Sequence, residues 1–355
     1  MKVLMKGNEA FAEAAVRAGC RYFFGYPITP QSELPEYLAK RLPEVGGVFL
    51  QAESEVGAIN MVYGAAATGE RVMTSSSGPG ISLMQEGISY LAGAELPAVI
   101  INIMRGGPGL GNIAPTQADY FQATKGGGHG DYQIIVLAPS TVAEIFTIME
   151  KAFDLADKYR IPVMVLGDGI LGQVMEPVEL PPLKEVVKTR KPWAATGKIE
   201  RDDKNRRIIN SLYIVPEENE KHLTYQFAKY QEIINTEPMF ESFLTADAEV
   251  VVVSFGTTAR IAKSVVLEGR KHGIKAGLIR PITLWPFPNK AFLEENIPFA
   301  RQILTVEMSG GQMVEDVKLA LNGRIPVSFF GRTGGMVPER AEILAKVIEL
   351  SREVR

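Results

Sequence analysis

One cysteine, Cys20, and three histidines are all that the sequence offers of the softer metal ligands. A single thiol excludes an internal disulfide framework. It also excludes an iron–sulfur cluster held by this chain alone, which takes about four thiolates. Cys20 itself reads as a small buried apolar residue on the first helix. No stretch has the run of about 20 apolar residues that spans a bilayer, and the N-terminus lacks the blocks of a signal peptide. A soluble, cytoplasmic protein is therefore expected. Charge of one sign is missing too: 38 Lys and Arg face 41 Asp and Glu, a formal net charge of −3. No global field draws such a chain to nucleic acid or to anionic lipid. What is abundant is apolar side chain, 46% of 355 residues against 22% charged, enough for two or three domains with buried cores.

The first half alternates short apolar runs with amphipathic stretches. Strands are expected at 21–24, 48–51, 71–74, 98–103, 134–137 and 162–166, and helices at 7–18, 31–41, 55–68, 82–93 and 142–158, with Asn8 capping the first. Such alternation with glycine-rich turns predicts a parallel sheet covered on both faces. Ligands then bind at the carboxyl ends of the strands. The pattern changes at 181–246: residues 184–207 are rich in Lys and Arg, show little periodicity, and read as an extended crossover arm. Its basic character suits a partner surface or, with acids interleaved, a solvated face. A helix is expected at 221–235. A second α/β unit over 247–355 opens on the buried-strand run 250–253, with Thr257 or Thr258 capping the next helix. Further strands are expected at 277–280, 302–307 and 327–330. The first unit is taken as 1–180.

Five segments could carry chemistry. Tyr26-Pro27-Ile28-Thr29-Pro30 follows a strand, and its prolines hold Thr29 rigid at the sheet edge. A stiff strand–helix connection is the alternative. Glu53-Ser54-Glu55 puts two acids at a helix entry, where the dipole accounts for one of them. Arg105, at a strand's carboxyl end beside Gly106-Gly107-Pro108-Gly109, suits bidentate capture of a carboxylate. The loop is neither a Walker motif nor a dinucleotide fingerprint, but a phosphate remains an alternative. His129, among four glycines of 126–130, either lines a pocket or is structural. Gly167-Asp168-Gly169 could face a metal, and a simple turn is preferred.

In order, these segments resemble the α-type subunit of the 2-oxoacid:ferredoxin oxidoreductases. The resemblance rests on Tyr26-Pro27-Ile28-Thr29-Pro30, Glu53-Ser54-Glu55-Val56-Gly57-Ala58, Thr74-Ser75-Ser76-Ser77-Gly78-Pro79-Gly80 and Arg105-Gly106-Gly107-Pro108-Gly109. Val253-Ser254-Phe255-Gly256 and Arg280-Pro281-Ile282-Thr283-Leu284-Trp285-Pro286 complete it, so that it covers nearly the whole chain. Within the family, 126–132 and Met61-Val62-Tyr63-Gly64 look most like the branched-chain, 2-oxoisovalerate, enzymes.

The resemblance implies an α/β fold: a doubly wound thiamine-pyrimidine-type domain followed by a domain like the transketolase C-terminal one. It implies thiamine diphosphate shared with a partner β subunit that binds the diphosphate through Mg²⁺. No asparagine follows Asp168 before Asn205, which departs from the family's metal-binding pattern. The [4Fe-4S] clusters fall to partner subunits as well, with ferredoxin, coenzyme A and a 2-oxoacid as substrates. Glu55 takes the family's position for the glutamate that hydrogen-bonds the pyrimidine ring and promotes its imino form, with Glu53 as fallback. Arg105 would pair with the substrate carboxylate, Thr29 would bond its carboxylate or keto oxygen, and Ser77 and Gly78 would border the cofactor. The implied reaction is oxidative decarboxylation to acyl-CoA and CO₂, with 2-oxoglutarate or pyruvate as alternative substrates. A thiamine enzyme half that needs no ferredoxin, and a non-catalytic interaction subunit, are the rival readings.

Overall fold

The computed structural model describes residues 2–184, 191–197 and 207–353. Residues 185–190 and 198–206 of the expected arm lie outside the described residues, and most of the basic 184–207 stretch with them. Among the described residues no helix is long and apolar enough to cross a membrane.

The chain opens with β1 (Lys2–Lys6), α1 (Gly7–Arg17), β2 (Tyr22–Gly25), α2 (Glu33–Glu44), β3 (Val48–Gln51) and α3 (Glu55–Ala67). It continues through β4 (Val72–Ser76), α4 (Pro79–Gly93), β5 (Ala98–Met104), α5 (Tyr120–Thr124), β6 (Ile135–Leu137), α6 (Val142–Tyr159), β7 (Pro162–Asp168), α7 (Gly169–Gln173) and β8 (Met175–Glu179). The long helix α8 (Pro216–Thr236) starts five residues before the expected 221, where Pro216 and the acids Glu217 and Glu218 suit a first turn. Then come β9 (Phe240–Phe243), β10 (Val250–Val253), α9 (Gly256–Lys271), β11 (Ala276–Pro281), β12 (Thr283–Trp285), β13 (Gln302–Glu307), α10 (Met313–Leu321), β14 (Val327–Gly331) and α11 (Arg340–Glu353).

Seven strands form the first sheet in the order β12-β6-β7-β5-β4-β2-β3, parallel except at β12. Strand alternation sorts side chains between its faces. Val99, Ile101 and Ile103 of β5 meet Phe11 of α1, Leu34 and Leu38 of α2 and Ile145 of α6 in one core. Ile100 and Met104 join Ile59 of α3 and Ile81 and Ile88 of α4 in the other. Five strands form the second sheet, β14-β13-β10-β11-β9, parallel except at β9. The second core runs on into this sheet through Val251, Val253, Ile279 and Ile303, so apolar packing is continuous across the two sheets. Arg280 adds a bidentate bridge to Glu144 at 2.8 and 3.0 Å.

Two expected helix caps are corrected. Asn8 lies inside the first turn of α1, and its buried amide donates to Pro30 O and Glu33 Oε2, both at 2.8 Å. Thr257 and Thr258 lie inside α9, whose N-cap is Phe255 and has no side-chain bond. The Asn8 amide and the Thr258 hydroxyl have distant partners instead, the latter donating to Gln117 Oε1 at 2.9 Å, and local sequence does not reveal them.

Cys20 is buried just past α1, and burial pushes its thiol up to about 12. Since the thiolate is the reactive form, the folded chain should resist iodoacetamide at mildly alkaline pH and react once unfolded in denaturant. Mass spectrometry of both samples checks this; full labelling of the folded protein would contradict it.

Candidate functional site

Four consecutive connections meet along the carboxyl edge of the first sheet, after β2, β3, β4 and β5. Ser54 ends the β3 connection as an N-cap, its hydroxyl accepting from Gly57 N at 3.1 Å. The next residue, Glu55, is therefore the first of α3 and turns inward, only 6% exposed. Glu53, two residues earlier, is exposed and folds over the start of its own helix, where a Cβ on Gly57 would lie 2.3 Å from its Oε1. The two acids that look alike in the sequence thus occupy different environments.

Against Glu55 lies the start of α4. A Cβ on Gly80 would stand 2.6 Å from Glu55 Oε1 and 2.0 Å from Ser76 Oγ, so only glycine lets this helix approach. Gly78 (φ +42°) turns the chain from β4 into α4, in a region that favours glycine. The hydroxyls of Thr74, Ser76 and Ser77 are buried without a hydrogen-bond partner among the described residues. Asn102, in register with Ser76 on β5, gives its amide to Asp119 at 3.0 Å and leaves its own Oδ1 unpaired. Burial raises the Asp119 carboxyl above its ordinary range, partly offset by that amide. The Glu55 carboxylate makes no hydrogen bond or ion pair among the described residues. Buried polar atoms are rarely left so, and a cluster of them around one carboxylate marks a surface shaped for a polar ligand.

Arg105 continues β5. Its guanidinium donates to Thr29 O at 2.9 Å and to Leu110 O at 3.4 Å. It is 8% exposed, makes no ion pair with any described acid, and its Nε is buried without a partner. A buried cation that takes only carbonyl oxygens as neighbours retains capacity for an anion. Gly78 packs on its stem, a Cβ there falling 3.4 Å from Arg105 Cγ. Thr29 is exposed, and its hydroxyl is free of described partners; its contact with Arg105 is through the carbonyl. From Thr29 a cleft of about 690 Å³ opens, walled by Pro30, Ile113, Pro115, Ile170 and Val174, with Glu33 and Glu36 at its charged side. Burial alone would raise the Glu33 carboxyl. Hydrogen bonds from Asn8, its own backbone, Gln173 and Lys6 outweigh it and bring the pKa to about 2.

Thr29, Glu55, Ser77, Gly78 and Arg105 thus share one edge. His129 does not join them: it is exposed beside α4, with Nδ1 3.4 Å from Ser89 Oγ and its ring edge-on to Tyr90. Asp168 caps α7, accepting from Ile170 N at 2.9 Å and Leu171 N at 3.0 Å. Burial raises its carboxyl, against hydrogen bonds from Thr257, Leu171 and Ile170. No three His, Cys, Asp or Glu side chains converge on a metal-sized site among the described residues. The sequence alone assigned no site role to Ser76, Gln31 or Asn102. Gln31 is fully buried and accepts from Ser75 Oγ at 2.6 Å, while its own Nε2 has no partner. Only the strand alternation of 72–76 could have separated Ser75 from Ser76.

The chain matches two protein-family descriptions. Residues 13–241 match the thiamine diphosphate-binding domain of pyruvate flavodoxin/ferredoxin oxidoreductases, and 248–343 match pyruvate:ferredoxin oxidoreductase core domain II. The ketoisovalerate oxidoreductase subunit VorB of Methanothermobacter marburgensis is 49% identical over 350 residues, covering 99% of this chain and 98% of that one. The structure of a 2-oxoglutarate:ferredoxin oxidoreductase from Magnetococcus marinus, with 2-oxoglutarate, coenzyme A and succinyl-CoA bound, superposes with a TM-score of 0.88 at 26% identity. That match covers all of this chain but 65% of the other. A split-gene transketolase, at TM-score 0.62 and 16% identity over 99% of both chains, shares the fold alone.

Proposed function

The chain belongs to the 2-oxoacid:ferredoxin oxidoreductase family, and we propose that it is the subunit that captures a branched-chain 2-oxoacid and the pyrimidine end of thiamine diphosphate. The observation that carries this reading is the presence, on one sheet edge, of a buried carboxylate, Glu55, and a buried guanidinium, Arg105, neither of which has an ion-pair partner among the described residues.

The residues present fit the cofactor's pyrimidine. Glu55 would hold a proton at a pyrimidine ring nitrogen, and Ser76 and Ser77 have hydroxyls to spare. Gly80 keeps clear the space that a side chain would fill. When bound, thiamine diphosphate supplies a carbanion nucleophile and an electron sink for decarboxylation. Arg105 would orient the substrate through its carboxylate, and the Thr29 hydroxyl would bond the carboxylate or the keto oxygen. Mg²⁺ and the diphosphate are assigned to a partner β subunit, because Asp168 is committed to capping α7. With one thiol in the chain, [4Fe-4S] clusters are assigned to partners as well, and ferredoxin and coenzyme A are the co-substrates.

The cleft beside Thr29 supports the branched-chain substrate. Its walls are largely apolar, through Pro30, Ile113, Pro115, Ile170 and Val174, with Ser32, Gln173, Glu36 and the Lys6-paired Glu33 on one side. An uncharged isopropyl group suits those apolar walls. The similarity to VorB points the same way. The test is the reconstituted complex assayed for acceptor reduction with coenzyme A and a panel of 2-oxoacids. The largest kcat/KM is expected for 2-oxoisovalerate. A larger value for 2-oxoglutarate would overturn the substrate assignment, and turnover that needs no electron acceptor would overturn the reaction.

A further inference from the structure

The loop that carries Arg105 is held from both ends, and the stronger hold comes from the second domain. Arg105 forms a bridge with Pro115, closing 106–114 into a small glycine-rich hairpin. Within it Gly106 N donates to Ala114 O, and Asn112 N donates to Gly106 O, both at 2.9 Å. Two residues past the bridge lies Gln117, fully buried, and every polar group of its side chain is engaged by the second domain. Its Nε2 donates to Phe255 O at 2.8 Å, and its Oε1 accepts from Met308 N at 3.0 Å and Thr258 Oγ1 at 2.9 Å. Its backbone N–H donates to Met308 O at 2.8 Å, and the Thr116 hydroxyl reaches the same carbonyl at 2.9 Å. At the exposed tip, Asn112 Nδ2 donates to Gly334 O at 3.1 Å while its Oδ1 accepts from Ala114 N at 2.9 Å. Gly335 lies so close that a Cβ would come within 2.4 Å of Ala114 Cβ.

We propose that Gln117 is a positioning residue through which the second domain fixes the substrate-capturing Arg105. The role rests on the reading of Arg105 given above. Buried amides with full hydrogen bonding specify one geometry, because any displacement leaves several polar groups unpaired. Phe255 and Met308 follow β10 and β13, at the carboxyl edge of the second sheet. The guanidinium is thereby referenced to a rigid sheet edge rather than to its own glycine-rich loop. On this account the second domain does more than pack: it sets the arginine that selects the 2-oxoacid.

The test uses the assembled complex carrying Gln117→Met, which keeps the volume and removes the side-chain bonds. KM for the 2-oxoacid should rise roughly tenfold, as expected for a lost hydrogen-bonded constraint, with kcat within about twofold. Amide exchange at Gly106, Asn112 and Ala114 should accelerate. In an Arg105→Ala background the substitution should raise KM no further, since a residue acting through another is non-additive with it. Asn112→Ala, exposed and milder, should show the same pattern at smaller size and serves if Gln117→Met fails to assemble. Arg280→Ala, which loosens the domains through Glu144 and touches no residue of the hairpin, should lower the melting temperature and leave KM alone. Wild-type KM in Gln117→Met beside a raised KM in Arg105→Ala overturns the inference and spares the Arg105 reading. Multiplying effects in the double variant, or an equal KM rise in Arg280→Ala, overturn it too. A normal KM in Arg105→Ala removes both.

Discussion

Replacing Glu55 by glutamine is expected to leave the complex assembled and to lower turnover by roughly 10²- to 10⁴-fold, the usual range for a lost proton-transfer group. The substitution changes one oxygen into an amide at constant volume. In this chain the carboxylate bonds to no described residue, so no internal contact is lost, and the melting temperature should move little. KM for the 2-oxoacid should also hold, because Glu55 faces α4 and Ser76 rather than the Thr29–Arg105 pair. The companion change Glu53→Gln should be almost silent, since Glu53 is exposed and lies over its own helix entry. Steady-state acceptor reduction on both variants, with thermal unfolding of each complex, decides the matter. Near-normal turnover in Glu55→Gln, or a collapse in Glu53→Gln instead, would remove Glu55 from the chemistry.

That pair of acids shows how far the sequence could be read. The parallel-sheet pattern and the position of each motif just after a strand were legible, because buried strands and glycine turns are local signals. Which of Glu53 and Glu55 turns inward depends on where α3 begins, and Ser54 decides that by capping Gly57. The β1–β8 ribbon and β12 were not legible, for a different reason. β8 contains Pro177, β12 has three residues, and both pair with strands far away in the chain. β9, inside the stretch read as an arm, pairs across the second sheet edge with β11. Gln117 was the least legible of all. Its partners are main-chain atoms of Phe255 and Met308 and the Thr258 hydroxyl, all contributed by another domain, and main-chain partners leave no mark on a sequence.

Arg105→Ala is expected to raise KM for the 2-oxoacid by about ten- to a hundredfold, the equivalent of one or two charge-assisted hydrogen bonds. The guanidinium is buried, pairs with no described acid, and has its Nε unspent, so no described residue supplies the anion it would meet. If the carboxylate is bound equally in the ground state and the transition state, kcat changes far less than KM. Stability should fall slightly as well, by roughly 1 kcal/mol, because the bonds to Thr29 O and Leu110 O go with the side chain. Arg105→Lys separates charge from geometry: an ammonium keeps the charge but lacks the fork, so its KM should lie between those of wild type and Arg105→Ala. A Thr29→Val variant, which deletes only the hydroxyl, should raise KM by less and leave the melting temperature unchanged. Initial-rate measurements over a range of 2-oxoacid concentrations in the reconstituted complex give all three values. A normal KM in Arg105→Ala would mean that the buried guanidinium only staples Thr29 to the 110 turn, and the substrate's carboxylate would have to be held by the partner subunit.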